Sequence, residues 1–209
     1  MNIIKALEWR HASKKMSGET VPNEKVETIL RAVQLAPTSM GLQPFTVLVI
    51  TDPELKKQIQ PIAYGQTQIV DCSHLLVFAA WSDITYEQVE TYIAHVAKTR
   101  NMPVENLADF KNGLLNTIKK NSKEENFAWA SRQTYIALGF AMAAAAMEEV
   151  DTTPMEGFKP AELDKLLDLE QKGLRSVTML TIGYRDEEND WLAKLPKVRR
   201  DKEDFFIMN

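Results

Sequence analysis

Apolar residues recur at helical spacing from the start of the chain. Ile3, Ile4 and Leu7 predict a short amphipathic helix ending near Arg10. Pro22-Asn23 opens a second helix, with Val26, Ile29, Leu30, Val33 and Leu35 as its buried stripe, and Pro37 stops it. Phe45 to Thr51 is rich in β-branched residues and reads as a strand. Asp52-Pro53 caps a third helix running to about Ala63. Leu75 to Trp81 is continuously apolar, as a strand buried on both faces would be. Residues 85–100 read as a helix, and 101–123 as helical and polar. Phe127 to Met147 is a long helix whose small-residue face, Ala141 with Ala143 to Ala146, admits another helix closely. Ser176 to Tyr184 is the third clear strand. Three strands among several helices, without strict alternation, predict an α+β layer fold in a single domain, 1–209. The charged tail ends in Phe205-Phe206-Ile207-Met208, which need a surface to cover. That need, with a small sheet, points to a homodimer in which the tail crosses to the partner.

Composition narrows the class. A chain of 209 residues with 44% apolar and 26% charged residues can bury a sizeable core. A net charge of -4 argues against nucleic acid as the main partner. Cys72 is the single cysteine, so neither a disulfide framework nor a cysteine zinc site is expected, and no metal site is read. The N-terminus lacks the apolar run of a signal peptide, and the apolar stretch Tyr135–Met147 is too short to span a bilayer. A cytoplasmic protein without a membrane partner is the expectation.

Against the acidic background two basic clusters stand out: Arg10-His11-Ala12-Ser13-Lys14-Lys15 and Leu195-Pro196-Lys197-Val198-Arg199-Arg200. Two readings stay open: solvated termini, or two halves of one anion site. In an extended segment Lys197 and Arg199 share a face and could grip one phosphate, with Arg10 arriving from the other end. No glycines are spaced G-x-G, and no G-x-x-x-x-G-K, H-E-x-x-H or G-x-S-x-G occurs. Cys72 and His74 invite a Cys-His nucleophile reading, set against an inert buried cysteine and a structural histidine.

Five segments, in order, resemble the FMN-dependent nitroreductase family. Arg10 to Met16 is similar to its R-H/R-S-x-K/R opening. Ala36-Pro37-Thr38-Ser39-Met40-Gly41-Leu42-Gln43-Pro44-Phe45 resembles A-P-S-S-x-N-x-Q-P-W. Gln66 to His74 resembles Q-x-Q-x-x-x-A-S-H, Pro154-Met155-Glu156-Gly157-Phe158 is the P-M/I-E-G-F motif, and Leu195 to Arg199 completes the set. The resemblance implies a small, mainly antiparallel sheet flanked by helices, and a dimer with one FMN per site lined by both subunits.

Carried across, Arg10, Lys197 and Arg199 would hold the phosphate, and His11 and Ala12 would lie along the ribityl chain. Lys14 and Gln68 would face the pyrimidine edge, where a cation or donor tunes the potential. Pro154, Met155, Glu156 and Gly157 would pass the N5 side, with a main-chain N–H reaching N5 and no side chain assigned as catalytic. Thr38, Ser39 and Gly41 would come from the other subunit, and Pro37 and Gln43 of the same motif are further cofactor-binding candidates.

This chain also departs from the pattern. Ala12 stands for Ser, Gly41 for Asn, and Gly65 for an Asn whose substitute is Gln66. Glu149 takes the place of the Gly that usually ends the long helix, which puts the left-handed cap there in question. The implied activity is hydride transfer from NADH or NADPH to a nitroaromatic, quinone or similar flat acceptor by a ping-pong mechanism. The Tyr92–Asn126 stretch would form the acceptor wall. Alternatives on the same residues are flavin or enone-type reduction, a flavin-binding sensor without turnover, and a cofactor-free dimeric protein.

Overall fold

The computed structural model describes residues 2–209. The helices are α1 (Ile3–Trp9), α2 (Asn23–Leu35), α3 (Pro53–Ile62), α4 (Gln68–Asp71), α5 (Tyr86–Thr99), α6 (Ala108–Lys120), α7 (Lys123–Met147), α8 (Pro160–Leu166) and α9 (Lys202–Phe205). The strands are β1 (Phe45–Ile50), β2 (His74–Trp81), β3 (Asp151–Met155) and β4 (Leu174–Gly183). They form one open sheet in the order β1-β2-β4-β3, with every neighbouring pair antiparallel.

Central β2 explains its own composition. Leu75, Val77 and Ala79 face a cluster with Ile59 of α3, Ile69 of α4 and Leu163 of α8. Leu76 and Phe78 face a second cluster with Val26, Ile29 and Val33 of α2 and Ala137, Ala141 and Ala145 of α7. Both faces are covered, so the run is apolar throughout rather than alternating. The alanines at i, i+4 spacing on α7 permit close approach to α2 and the sheet. A third cluster joins α5 and α6, with Val89, Ile93, Leu114 and Leu115 around Leu42.

Three expectations need correction. Leu35, read into the buried stripe of α2, is exposed at the helix's last position. The sequence reading has no strand at Asp151–Met155, a segment that carries Pro154. The segment is nevertheless β3, and it lies at the sheet edge, where a proline costs no ladder bond. The long helix begins at Lys123, not Phe127. Ser122 caps it, accepting from Glu125 N, while Glu125 returns a bond to the Ser122 N–H at 2.7 Å. Pro103 and a short 3-10 turn at Val104–Leu107 break the polar stretch before it.

The cap questioned at Glu149 does form. Glu149 takes φ 57°, and Val150 N reaches Ala145 O at 2.8 Å in a Schellman arrangement. A non-glycine side chain there is strained. Glu149→Gly is expected to raise stability by about 0.5–1 kcal/mol after the added freedom of the unfolded chain is deducted. Denaturant melts of the two proteins check it. A loss of stability would mean that the Glu149 side chain contributes more than the strain it carries.

Candidate active site

The stretch after α1 runs beside the free edge of β3. Ala12 bridges Thr152 in parallel, and Thr153 Oγ1 donates to Ser13 O at 2.6 Å. Met16 bridges Arg185 just past β4. Asp190 pins the same stretch from outside. Its side chain is fully buried, with Oδ2 accepting from the Lys14 N–H at 3.1 Å and lying 3.1 Å from His11 Nε2. Its other oxygen accepts from Leu192 N. Lys15 then pairs with Asp71 of α4 at 2.6 Å, bringing Lys14 toward the helix that carries Gln68.

At one end of this groove lies a cleft of about 560 Å³. Arg10, His11, Ala12, Lys197 and Arg199 line it, as does Arg185. The termini of the chain therefore meet. Lys197 Nζ donates to the carbonyls of Glu8 and Arg10, leaving one of its N–H groups for a ligand. Arg200 turns away, its guanidinium 5.0 Å over the Phe205 ring.

Burial, then the neighbouring Arg199, lowers the pKa of Arg10; burial, then Arg10 and Arg199, lowers that of Lys197. Arg10 Nε and Nη2 are buried without a hydrogen-bond partner. The carboxylate near Arg10, Asp151, is engaged by Arg185, with Nε donating at 2.9 Å. Unpartnered buried guanidinium donors among mutually repelling cations fit a dianionic phosphate.

The other end of the groove is main chain. Roughly 16 Å of extended backbone separates Thr152 from Gly157. Among the described residues, the N–H groups of Glu156 and Gly157 donate to no protein acceptor. Gln66 Nε2 donates to Gly157 O at 2.8 Å and to Ala63 O at 3.0 Å. That amide nitrogen is thus spent on bracing the turn. A Cβ at Gly157 would lie 3.2 Å from it. Gly65 is exposed at φ 74° with open space around it. Tyr135 of α7 donates to Glu156 Oε1 at 2.6 Å, and burial first, then that carboxylate, pushes its hydroxyl up to about 12.

The Pro37–Gln43 segment stands apart. Pro37, Ser39, Gly41 and Gln43 are exposed, and among the described residues no hydrogen bond joins the segment to Arg10–Lys14 or Pro154–Gly157. Cys72 lies in the core, its thiol pushed up to about 12 by burial, which leaves it protonated and unreactive. His74 is lowered by burial and then by Lys56, and its Nδ1 is 2.8 Å from Ser73 Oγ.

Sequence reasoning missed Asp190, Arg185 and Tyr135. Asp190 and Arg185 stand in a run of charges that reads as solvated surface, and nothing local marks them.

Known proteins resemble this chain in sequence and in fold. The family model described as "Nitroreductase: Nitroreductase family" matches residues 7–184. The chain belongs to the nitroreductase family. The Major NAD(P)H-flavin oxidoreductase of Aliivibrio fischeri is 31% identical over 212 residues, 97% of this chain and 96% of that one. A Bacillus subtilis protein provisionally named an NAD(P)H nitroreductase, YfkO, is 33% identical over 205 residues, 88% of each chain. Among solved structures, a provisionally named nitroreductase of Exiguobacterium sibiricum in complex with FMN superposes with TM-score 0.86 at 19% identity, covering 100% of this chain and 98% of that one. The family match ends before Lys197 and Arg199, so their half of the cleft rests on the geometry of this family member alone.

Two outcomes are expected. Asp190→Ala strips an acceptor from three donors and should cost about 2–4 kcal/mol of stability, read by urea unfolding. The cation cluster should make the ligand-free protein respond to anions. Lys197 has a folded pKa below its unfolded value, so its burial, and then its repulsion by Arg10 and Arg199, cost stability at neutral pH, a cost relieved only as pH rises through the lowered value. Inorganic phosphate should therefore raise the melting temperature more than chloride at equal ionic strength, and Arg199→Ala should abolish the difference.

Proposed function

We propose that this nitroreductase family member is an FMN-dependent oxidoreductase. It takes hydride from NADH or NADPH and reduces flat, electron-poor acceptors such as nitroaromatics or quinones. The observation that carries the reading is the pair of unpartnered Arg10 nitrogens in a cleft of converging cations, at one end of a groove whose other end offers free main-chain N–H groups. The flavin oxidoreductase name of the Aliivibrio fischeri relative and the FMN in the Exiguobacterium sibiricum structure support it.

Arg10, Lys197 and Arg199 would hold the phosphate, and Ala12, lacking a hydroxyl, would contribute only main chain beside it. Lys14 and Gln68 would meet the pyrimidine edge. The N–H groups of Glu156 and Gly157 would face the reacting edge, with Gln66 and Tyr135 fixing that turn from either side. FMN, when bound, supplies the hydride chemistry, and the chain binds and orients it and screens it from water.

The assembly we propose is a cytoplasmic homodimer. On α7, Tyr135, Ile136 and Phe140 are exposed, and Phe205 to Met208 of the tail are more exposed still. Such apolar exposure is the mark of an interaction surface. Pro37, Thr38, Ser39, Gly41 and Gln43 would then reach the partner's site.

The visible spectrum of purified protein, before and after NADH and NADPH, tests the reading. A yellow chromophore released as FMN and bleached by reduced nicotinamide is expected; colourless protein that takes up no added FMN would end it. Arg199→Ala should weaken FMN binding by about 1.5–3 kcal/mol, and Arg200→Ala by much less. With one stacking face for donor and acceptor, initial-rate plots should be parallel. Intersecting lines would require a second binding site.

A further inference from the structure

The loop after α2 is held in an unusual shape. Met40 has φ 56°, Gly41 φ 69° and Gln43 φ 48°. Met40 and Gln43 are not glycine, so their left-handed backbone is strained and persists only if the surroundings over-determine it. Ser39 N donates to Gln133 Oε1 of α7 at 2.9 Å, and Gln43 Nε2 donates to Gln34 O of α2 at 2.9 Å. Within the loop, Thr38 Oγ1 accepts from Gln43 N at 3.0 Å, and from outside it the hydroxyl of Tyr92 of α5 donates to Met40 O at 2.7 Å.

The residue beside that carbonyl is shaped to fit. A Cβ at position 41 would stand 2.7 Å from Tyr92 Oη, with the next atom, Cζ, at an ordinary 3.7 Å. The hydroxyl oxygen alone fills the place of a side chain at 41. Tyr92 in turn packs edge-to-face on Phe110 of α6, with ring centroids 6.3 Å apart. Met40 and Leu42 enter the same apolar cluster as Tyr92, Ile93 and Leu114. The loop, α5 and α6 thus share one packing unit, although 38–43 and 86–120 are distant in sequence.

We propose that Tyr92 is a positioning residue: its hydroxyl, seated where a side chain at position 41 would stand, latches the 38–43 loop to α5, so that this loop's shape depends on the helices of the acceptor wall. The link from loop to cofactor rests on the functional reading above. The latch itself does not. An acceptor that displaces α5 or α6 would therefore shift the loop that meets the flavin across the dimer.

The test uses full-length wild type, Tyr92→Phe, Gly41→Ala and the double variant. Melting of the FMN-free proteins reads the latch. Gly41→Ala adds a strained, crowded Cβ. Its penalty should be smaller when combined with Tyr92→Phe, where the crowding atom is gone. Equal penalties with and without Tyr92→Phe would overturn the matched fit. Flavin fluorescence titration and visible circular dichroism of bound flavin read the consequence. Tyr92→Phe should weaken FMN affinity about three- to tenfold and change the dichroic band. Wild-type affinity together with an unchanged band would overturn the positioning role, whatever the stability. A wild-type chain that binds no FMN would defeat the functional reading instead, and the melting cycle would still decide whether the latch exists.

Discussion

A half-buried ion pair, Arg185 with the buried Asp151, sits where separate stretches of chain must meet. Asp151 opens the edge strand β3 and Arg185 follows the end of β4, so the pair extends the last rung of the sheet. The carboxylate takes the Arg185 backbone N–H as well as its side chain. The guanidinium lies 4.4 Å from the centre of the Trp9 ring, one residue before Arg10. Taking charges out of water is costly, and the pair is sustained because both Asp151 oxygens accept from Arg185. What it gives the fold is register. The N-terminal segment can settle beside β3 in only one way, and the groove follows from that placement.

The site shows a division of labour. Charged side chains gather at one end, and main-chain donors at the other. Side chains at the second end, Gln66 and Tyr135, hold the turn rather than reach into the groove. A flat reacting surface needs shape and fixed dipoles more than titrating groups, which is consistent with an inert Cys72 and a histidine held by its neighbour Ser73.

Much of the fold was legible because β2, α2 and α7 announce themselves through burial: a continuous apolar run, a helical stripe and a row of alanines. Edge strand β3 was not, since Pro154 contradicts a strand until its place at the sheet edge is known. The alternation of Lys197 and Arg199 pointed toward the cleft from spacing alone, and the motif segments named the groove's other residues. The roles of Asp190 and Tyr92 were hidden for a physical reason. Each residue acts on a partner far away in sequence, so its local context holds no trace of its role. Gly41 did leave a sign, an absent side chain in a polar motif, yet only the hydroxyl opposite explains it.

The cleft joins Arg10 to Lys197 across 187 positions of sequence. During synthesis β2, which ends at Trp81, leaves the ribosome long before Lys197 and Arg199 do. The first half of the cleft therefore spends most of synthesis without the second, and an anion can be gripped from both sides only after residues 197–199 have joined it. A chain cut short before Lys197 would keep every residue of the sheet and lose two of the cleft's cations, Lys197 and Arg199.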